Sequence, residues 1–543
     1  MNQYLTERVA AALRSAGVDN APSPSFEKPR QAEHGDLTTT IALTAAKLAK
    51  IPPRQLAQKI VENLHLDTSL VEKVEIAGPG FINFHFSIEF FKTSLGEILR
   101  ADKNFGKHDI AKGKPTQVEF VSANPTGPLT VGHGRGAVYG DTISRLLEWT
   151  GHNVTREYYF NNAGRQMRVL GDSVRLRYLQ ELGDAIEFPE DYYQGEYIRD
   201  IARGLVERHG DSLRNEPAEG MFKQQAETEI FDDIKKSLKR LGVVHEVFSN
   251  ENELYETGKV TEVIEELRAK NLAYDLEGAV WFKATQFGSE KDKVIVKSTG
   301  EPTYRLPDIA YHREKLNRGF ELVIDVLGAD HIATYPDVLA GLTALGYDSS
   351  KIKVLIHQFV TIIQNNEVVK MSTRKANFVT LDELMDEVGA DVVRYFFIMR
   401  SVDSHLNFDL GLAKKQSDEN PVYYLQYAHA RIASIIRHAE DIGVDRNIPA
   451  NLSLLSTSEE LAVMKKLLEF PGMVESCAAT FEPHRLADYL QDVAGVFHRF
   501  YHEHRVVTED LPLTAARMSL CLATKIVLGN GFEILGITAP ERM

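Results

Sequence analysis

From Gln117 to Phe160 the chain reads as a strand (VEFVS), a helix (GRGAVYGDTISRLLEWTG, stopped by Gly151) and a second strand (NVTREYYF). A helix between two strands is a crossover, so the strands pair parallel. A parallel sheet needs helices on both faces, and this unit therefore commits the middle of the chain to a layered α/β domain. The rhythm returns in ELVIDVLGAD, TYPDVLAGLTALG and KIKVLIHQF, a strand, a helix and a strand. Between the two blocks, 165–270 reads as charged helices and 272–304 as short strands around Trp281. The sheet domain is thus predicted to be split by an insertion around 165–300.

On the N-terminal side, 1–16 and 38–64 read as helices, the second broken at Pro52–Pro53. VEKVEIAGPGFINFHFS reads as a hairpin turning at Gly78-Pro79-Gly80, followed by a helix from Ile88 to Arg100. ADKNFGKHDIAKGKP has the lysines and glycines of a linker, and from about Gln416 every pattern is helical. The predicted architecture is α/β and multidomain. It has a small α+β domain over 1–110, a parallel-sheet domain over 111–415 and an α-helical bundle over 416–543.

Charge narrows the function classes. With 62 Lys and Arg against 77 Asp and Glu, the net −15 argues against non-specific polyanion binding, though not against a local basic groove. Two cysteines, Cys477 and Cys521, make neither a disulfide framework nor a cysteine-rich zinc site, and they fit a reducing compartment. No run approaches 18 apolar residues, and MNQYLTERVAAALRSAG is an amphipathic helix without a signal-peptide core. A cytoplasmic protein without a membrane partner is expected.

Two segments carry chemistry. SANPTGPLTVGHGRGA joins the first strand to its helix, and Gly132 to Ala137 formally matches a dinucleotide fingerprint. That fingerprint needs its first glycine directly after the strand, whereas Pro125 and Pro128 intervene here. A nucleotide triphosphate site fits better. Free N–H groups at the helix start favour phosphate, His133 can donate to phosphate oxygens, and Gly132 and Gly134 would permit close approach. The second segment, EVVKMSTRKANFVTLDELMDEVGADVVRYFF, places Lys370, Ser372, Thr373, Arg374 and Lys375 between a strand and a helix capped by Thr380 and Glu383. A cationic, hydroxyl-bearing loop suits a pyrophosphate leaving group.

Taken together, a proline-rich strand exit with x-x-G-H and a later K-M-S-x resemble the class I aminoacyl-tRNA synthetases. VEFVSANPTGPLTVGHGRGAVYGD, REYYFNNAGRQM, PTYRLPDIAYH, LGADH, NPVYYLQYAHARI, APERM and the AGPGFINF hairpin resemble the arginyl-tRNA synthetase family, over about 25–543. The resemblance implies arginine–tRNA ligation through arginyl-adenylate on a Rossmann-like sheet, with arginine tRNA, ATP and L-arginine as partners. It implies that tRNA is needed for activation, that Mg²⁺ arrives with ATP, that no metal is tightly bound and that the chain is a monomer. His133, Lys370 and Ser372 are implied to be catalytic. Thr130, Gly132, His133, Gly134, Lys370 and Met371 are implied to bind ATP, and Glu119, Asn124, Tyr304, Asp308, Asp330 and His331 to bind arginine. The chain departs from the family pattern at Thr130, where a His is usual, and at Thr373, where a Lys is usual. These departures motivate one alternative, a tRNA-binding regulatory protein with a decayed active site.

For RNA, side chains alternate in FINFHF, putting Phe81, Asn83 and His85 on one face, an aromatic beside an amide suited to an unpaired base. In the C-terminal bundle, Val422, Leu425, His429, Ile432 and Ile436 follow core spacing, while Tyr423, Tyr427 and Arg431 lie opposite. By resemblance the anticodon surface falls here, with Met543 close by.

Overall fold

The computed structural model describes residues 1–543 except Arg30, Asn366, 370–378 and 445–449. Its central sheet has five parallel strands: β1 (Pro115–Glu119), β2 (Asn153–Phe160), β3 (Val247–Asn250), β4 (Leu322–Gly328) and β5 (Ile352–His357). Their spatial order is β5-β4-β1-β2-β3. The order runs outward in both directions from β1. The crevice beyond the carboxyl ends of β1 and β4 is therefore the topological switch point, where open α/β sheets bind ligands.

Four of these strands lie where sequence patterning puts them. β3 does not: VFSN falls inside the predicted insertion, yet it pairs parallel with β2 from Glu157↔Val247 to Phe160↔Asn250. Four residues are too few to show a period, and an edge strand's place is decided by its neighbour. The rest of the insertion includes helices Gly164–Glu181, Glu196–His209, Lys223–Arg240, Glu251–Glu256 and Lys259–Ala269, and an antiparallel sheet of Ala273–Leu276, Ala279–Phe282 and Lys293–Val296. The helix joining β1 to β2, Val131–Trp149, lies so close to the sheet that a Cβ on Gly140 would fall 2.2 Å from Phe120 Cγ.

Two compact units emerge. The first comprises Met1–Phe105, Arg431–Glu469 and Gly495–Val527; the second comprises Gly106–Ala430, Phe470–Ala494 and Leu528–Met543. The C-terminal helices are thus shared between units. In the first unit FINFHF is the middle strand of three, flanked by Leu37–Thr39 and Val71–Ala77. Residues 38 and 39, expected to be helical, belong instead to the strand Leu37–Thr39, and the helix starts at Ile41. Lys465 reaches Asp36 at 2.6 Å and lies over the Phe91 ring, joining a C-terminal helix to the N-terminal segment within this unit. The helix Leu511–Leu535 is long and apolar enough to cross a membrane by length and composition, but more than half of that stretch is buried inside the protein.

His245 is 8% exposed and packs 4.3 Å from Phe120 and 5.3 Å from Tyr158. Burial pushes its pKa from 6.5 down to about 4. The unfolded chain takes up this proton near pH 6.5 and the folded chain only near pH 4. Stability present above pH 6.5 is therefore lost as pH falls, by about 3 kcal/mol once pH reaches the folded value. His245→Phe should flatten this part of the acid decline in urea midpoints measured at pH 7, 5 and 4. A decline as steep as the parent's would remove His245 as its source.

Candidate active site

The chain leaves β1 through two strained residues, Val121 (φ 71°) and Ser122 (φ 43°). A left-handed conformation is costly for a β-branched residue and persists only where neighbours impose it. β2 supplies them: Tyr159 N–H donates to Ser122 Oγ at 3.2 Å, and the Tyr158 hydroxyl donates to Ala123 O at 2.7 Å. The loop then enters the helix Val131–Trp149 through a capping box. His133 N–H faces Thr130 Oγ1 at 3.5 Å, and Thr130 N–H donates to His133 Nδ1 at 3.2 Å. Burial lowers the His133 pKa, against the pull of Asp330. A neutral ring accepting at Nδ1 carries its proton on Nε2, so His133 presents a single N–H donor. The Thr130 hydroxyl, expected at a phosphate, belongs to this cap. Among the described residues, Gly132 has only Thr130 Oγ1 near its missing Cβ, at 3.6 Å, and keeps the close approach expected of it. Gly134 does not: a Cβ there would fall 2.6 Å from Leu381 Cδ1 and 3.0 Å from Phe397, so this glycine serves helix packing.

Lys370, Met371 and Ser372 lie outside the described residues, as do Thr373, Arg374 and Lys375. Both flanks of that segment are described. Val360–Gln364 pairs antiparallel with Glu367–Val368, and Thr380 caps the helix Leu381–Val388 reciprocally with Glu383. Thr380 also bridges to Thr130, and Leu381 N–H donates to Leu129 O at 2.8 Å. The segment that follows the second motif is thus tied, through Leu381 N–H to Leu129 O, to the residues that lead into the helix carrying His133.

Beneath this mouth lies a row of carboxylates. Asp325, Glu119 and Glu157 occupy one register across β4, β1 and β2. The helix Arg305–Asn317 answers them. Lys315, fully buried, sits 2.5 Å from Glu119 Oε2 and 2.6 Å from Asp325 Oδ1. His312 Nε2 lies 2.9 Å from Asp325 Oδ2, and the Tyr311 hydroxyl donates to Glu157 at 2.8 Å. Ser122 Oγ donates to Glu119 Oε1 at 2.8 Å, so both oxygens of Glu119 are already engaged. Ligand atoms of Glu119, His312 and Asp325 lie within 4.8 Å of one another, as in a cation site, but the Lys315 ammonium already occupies the carboxylates.

Asp308, on the same helix, forms no ion pair among the described residues. Burial raises its pKa to about 7, with Glu251 and Glu119 adding to the rise and His312 and Lys315 opposing it. Glu251, 9% exposed, accepts from Asn161 Nδ2 at 2.7 Å and from the Tyr159 hydroxyl at 3.1 Å, and burial raises its pKa too. The result is a pocket with more carboxylates than cations, suited to a cationic ligand. Asp308, His312, Asp325 and His331 line one small cavity of about 30 Å³.

Of the residues expected to bind arginine, Glu119 and Asp308 come together at this cluster. Asn124 is fixed nearby, accepting from Asn161 N–H at 2.9 Å and donating to Gln166 Oε1 at 2.9 Å. Tyr304, 81% exposed, stands at the start of the Asp308 helix, and Asp330 and His331 form the exposed turn after β4. Sequence reasoning missed Lys315, His312 and Glu251. The first two carried a signal, since Asp308, His312 and Lys315 share one helical face. Glu251 carried none, because it follows the unrecognised strand β3.

At the expected RNA surfaces the outcome is mixed. Asn83 is 3% exposed and not open to a base; its strand pairs at Thr38 on one edge and at Glu75 on the other. Phe81 is half-buried. Tyr427 is half-buried and stacks with Tyr423 at 6.1 Å; Arg431 is exposed and lies over the Tyr501 ring; Met543 is exposed.

Three family models match the chain: the arginyl tRNA synthetase N terminal domain over 3–86, the class I (R) tRNA synthetase catalytic domain over 94–395, and the DALR anticodon binding domain over 425–543. The chain is 52% identical to the arginine–tRNA ligase of Desulfotalea psychrophila over 97% of each chain. It is 50% identical to that of Chlorobium phaeobacteroides over the whole of each. The solved Thermus thermophilus arginyl-tRNA synthetase shares the fold, with a TM-score of 0.79 at 23% identity over the full length of both.

Proposed function

The chain belongs to the arginyl-tRNA synthetase family of class I and is an ATP-dependent arginine–tRNA ligase, and from that premise we propose how its residues divide the work. It activates L-arginine with ATP, releasing pyrophosphate, and transfers the arginyl group to the 3′ end of its tRNA. The alternative of a decayed regulatory protein has no support in these relatives.

The arginine carboxylate is itself the nucleophile, so no dedicated base is assigned. His133 donates through Nε2–H to a phosphate oxygen, Gly132 and the capped helix start face the triphosphate, and Thr130 holds His133 in the donating tautomer. Lys370, Met371 and Ser372 meet the leaving pyrophosphate. Mg²⁺ enters as part of the ATP substrate. Asp308, Glu251 and Glu119 accept the guanidinium, Glu119 through the lone pairs that Lys315 and Ser122 leave free, and Asn124, Tyr304, Asp330 and His331 complete the rim. A guanidinium offers five donors in a planar fork, and several carboxylates around it select arginine over lysine by geometry. The observation that carries this assignment is Asp308, a carboxylate that forms no ion pair among the described residues and lies in a pocket already rich in negative charge.

The tRNA elbow is assigned to the N-terminal domain, 1–110, through Phe81 and, once uncovered, through Asn83. The anticodon is assigned to the helical region 416–543 through Tyr427, Arg431 and Met543. A cytoplasmic monomer is assigned. Cys477 and Cys521 are free and buried, with thiols pushed up to about 12, as suits a reducing compartment.

Arginine-dependent ATP–pyrophosphate exchange, with and without tRNA, tests the site. Asp308→Asn removes one charge-assisted contact of about 1.5–3 kcal/mol, so kcat/KM for arginine should fall about 10- to 150-fold with the ATP KM unchanged. Equal changes for both substrates would sink the assignment. In the parent, arginine binding must expel the Asp308 proton. Its kcat/KM should therefore climb between pH 6 and 8 around the value of about 7, and Asp308→Asn should flatten that limb.

A further inference from the structure

We propose that Lys315 is a positioning residue for arginine selection: its buried ammonium clamps Glu119 of β1 to Asp325 of β4 and holds the Glu119 carboxylate in the accepting state the pocket requires. The inference rests on the assignment of the carboxylate cluster as the arginine pocket.

Lys315 is enclosed on every side. Its Nζ contacts Glu119 at 2.5 Å and Asp325 at 2.6 Å and lies 4.4 Å from the Tyr311 ring centre. The titratable groups around it come from each packed element: Glu119 from β1, Glu157 from β2, Asp325 from β4, and Asp308, Tyr311 and His312 from its own helix. Glu157 is served separately by Arg318 at 2.8 Å, and His312 holds the second oxygen of Asp325. The ammonium is therefore the one cation on Glu119 among the described residues. Without it, Glu119 would be a buried carboxylate with a single hydroxyl donor, Ser122, and would take up a proton. A protonated carboxyl offers an O–H where a guanidinium needs an acceptor. Placement matters as much as charge. With Oε2 on Lys315 and Oε1 on Ser122, the carboxylate plane is fixed directly below the strained exit of β1.

The test is arginine-dependent ATP–pyrophosphate exchange with tRNA present, on the full-length chain, between pH 6 and 9. Lys315→Met should lower kcat/KM for arginine at least ten-fold at pH 7, with partial recovery towards pH 9 and the ATP KM within two-fold of the parent. Lys315→Arg keeps the charge and should keep the pH limb where the parent has it. A single buried carboxylate pair left without its cation could fail to fold, so Lys315→Met/Asp325→Asn removes one charge of each sign and preserves the net. It should fold and still show the arginine-specific loss with the displaced pH limb. Asp308→Asn runs alongside. If it behaves as the parent, the pocket assignment itself fails. If it is impaired while the folded Lys315 variants match the parent at every pH, this inference alone fails. Failure of the double variant to fold, or a loss equal for both substrates and the same at every pH, would make Lys315 a structural residue and overturn the proposal.

Discussion

Lys370→Ala is expected to slow adenylation about 10²–10³-fold while weakening ATP binding far less, the range found when one positioned electrostatic group is lost. Negative charge accumulates on pyrophosphate as the bond to the α-phosphate breaks, so a lysine that meets it contributes most in the transition state. The architecture around the motif favours that timing. Upstream, the paired strands Val360–Gln364 and Glu367–Val368 anchor the chain. Downstream, Thr380 is capped with Glu383 and bridged to Thr130, at the start of the His133 helix. Both flanks of the lysine are thus fixed relative to the proposed phosphate site. Transfer from preformed arginyl-adenylate should be little affected, because pyrophosphate has already left. Single-turnover kinetics of the two steps decide the matter. A collapse of ATP affinity with intact turnover would make Lys370 a ground-state binder, and equal damage to both steps would give the loop a role in holding tRNA.

Arg394→Met is expected to cost about 3–5 kcal/mol of stability, the usual result of removing one partner from a buried charge network. Arg394 is 1% exposed and donates to Leu535 O at 2.9 Å, Leu241 O at 3.0 Å and Asp141 Oδ2 at 2.6 Å. The substitution leaves two carbonyls without this donor and removes the innermost cation from Asp141, which retains Arg145 at 2.8 Å and Arg156 at 3.5 Å. It also empties the space over Gly536, where a Cβ would fall 2.2 Å from the guanidinium. Methionine restores length and apolar volume but no donor. Arg394 ties the insertion, the C-terminal segment and the His133 helix together, so the loss should appear as an earlier first transition in urea unfolding of the whole chain. A midpoint equivalent to less than about 1 kcal/mol of change would show that the network relaxes around the gap.

Much of this protein is local in origin and was therefore legible in its residues. The crossover from Gln117 to Phe160, the strands β4 and β5, the Thr380–Glu383 cap and the core stripe of Val422, Leu425, His429, Ile432 and Ile436 all follow from periods and end signals that act within a few residues. So do the two motifs, whose residue types announce phosphate chemistry before any fold is known. Four features depended on partners distant in sequence. β3 became a strand because β2 offers it an edge, and Asn83 is buried by tertiary packing that the alternation along FINFHF does not show. Gly134 became a packing residue because Leu381 and Phe397 press on it from far downstream. Glu119, the clearest candidate ligand by motif, turned out to hold Lys315, while the uncompensated charge fell to Asp308. Periodicity and capping are one-dimensional and survive in the sequence. The ionisation and accessibility of a buried side chain depend on which charges and strands surround it, and only the packed chain brings those together.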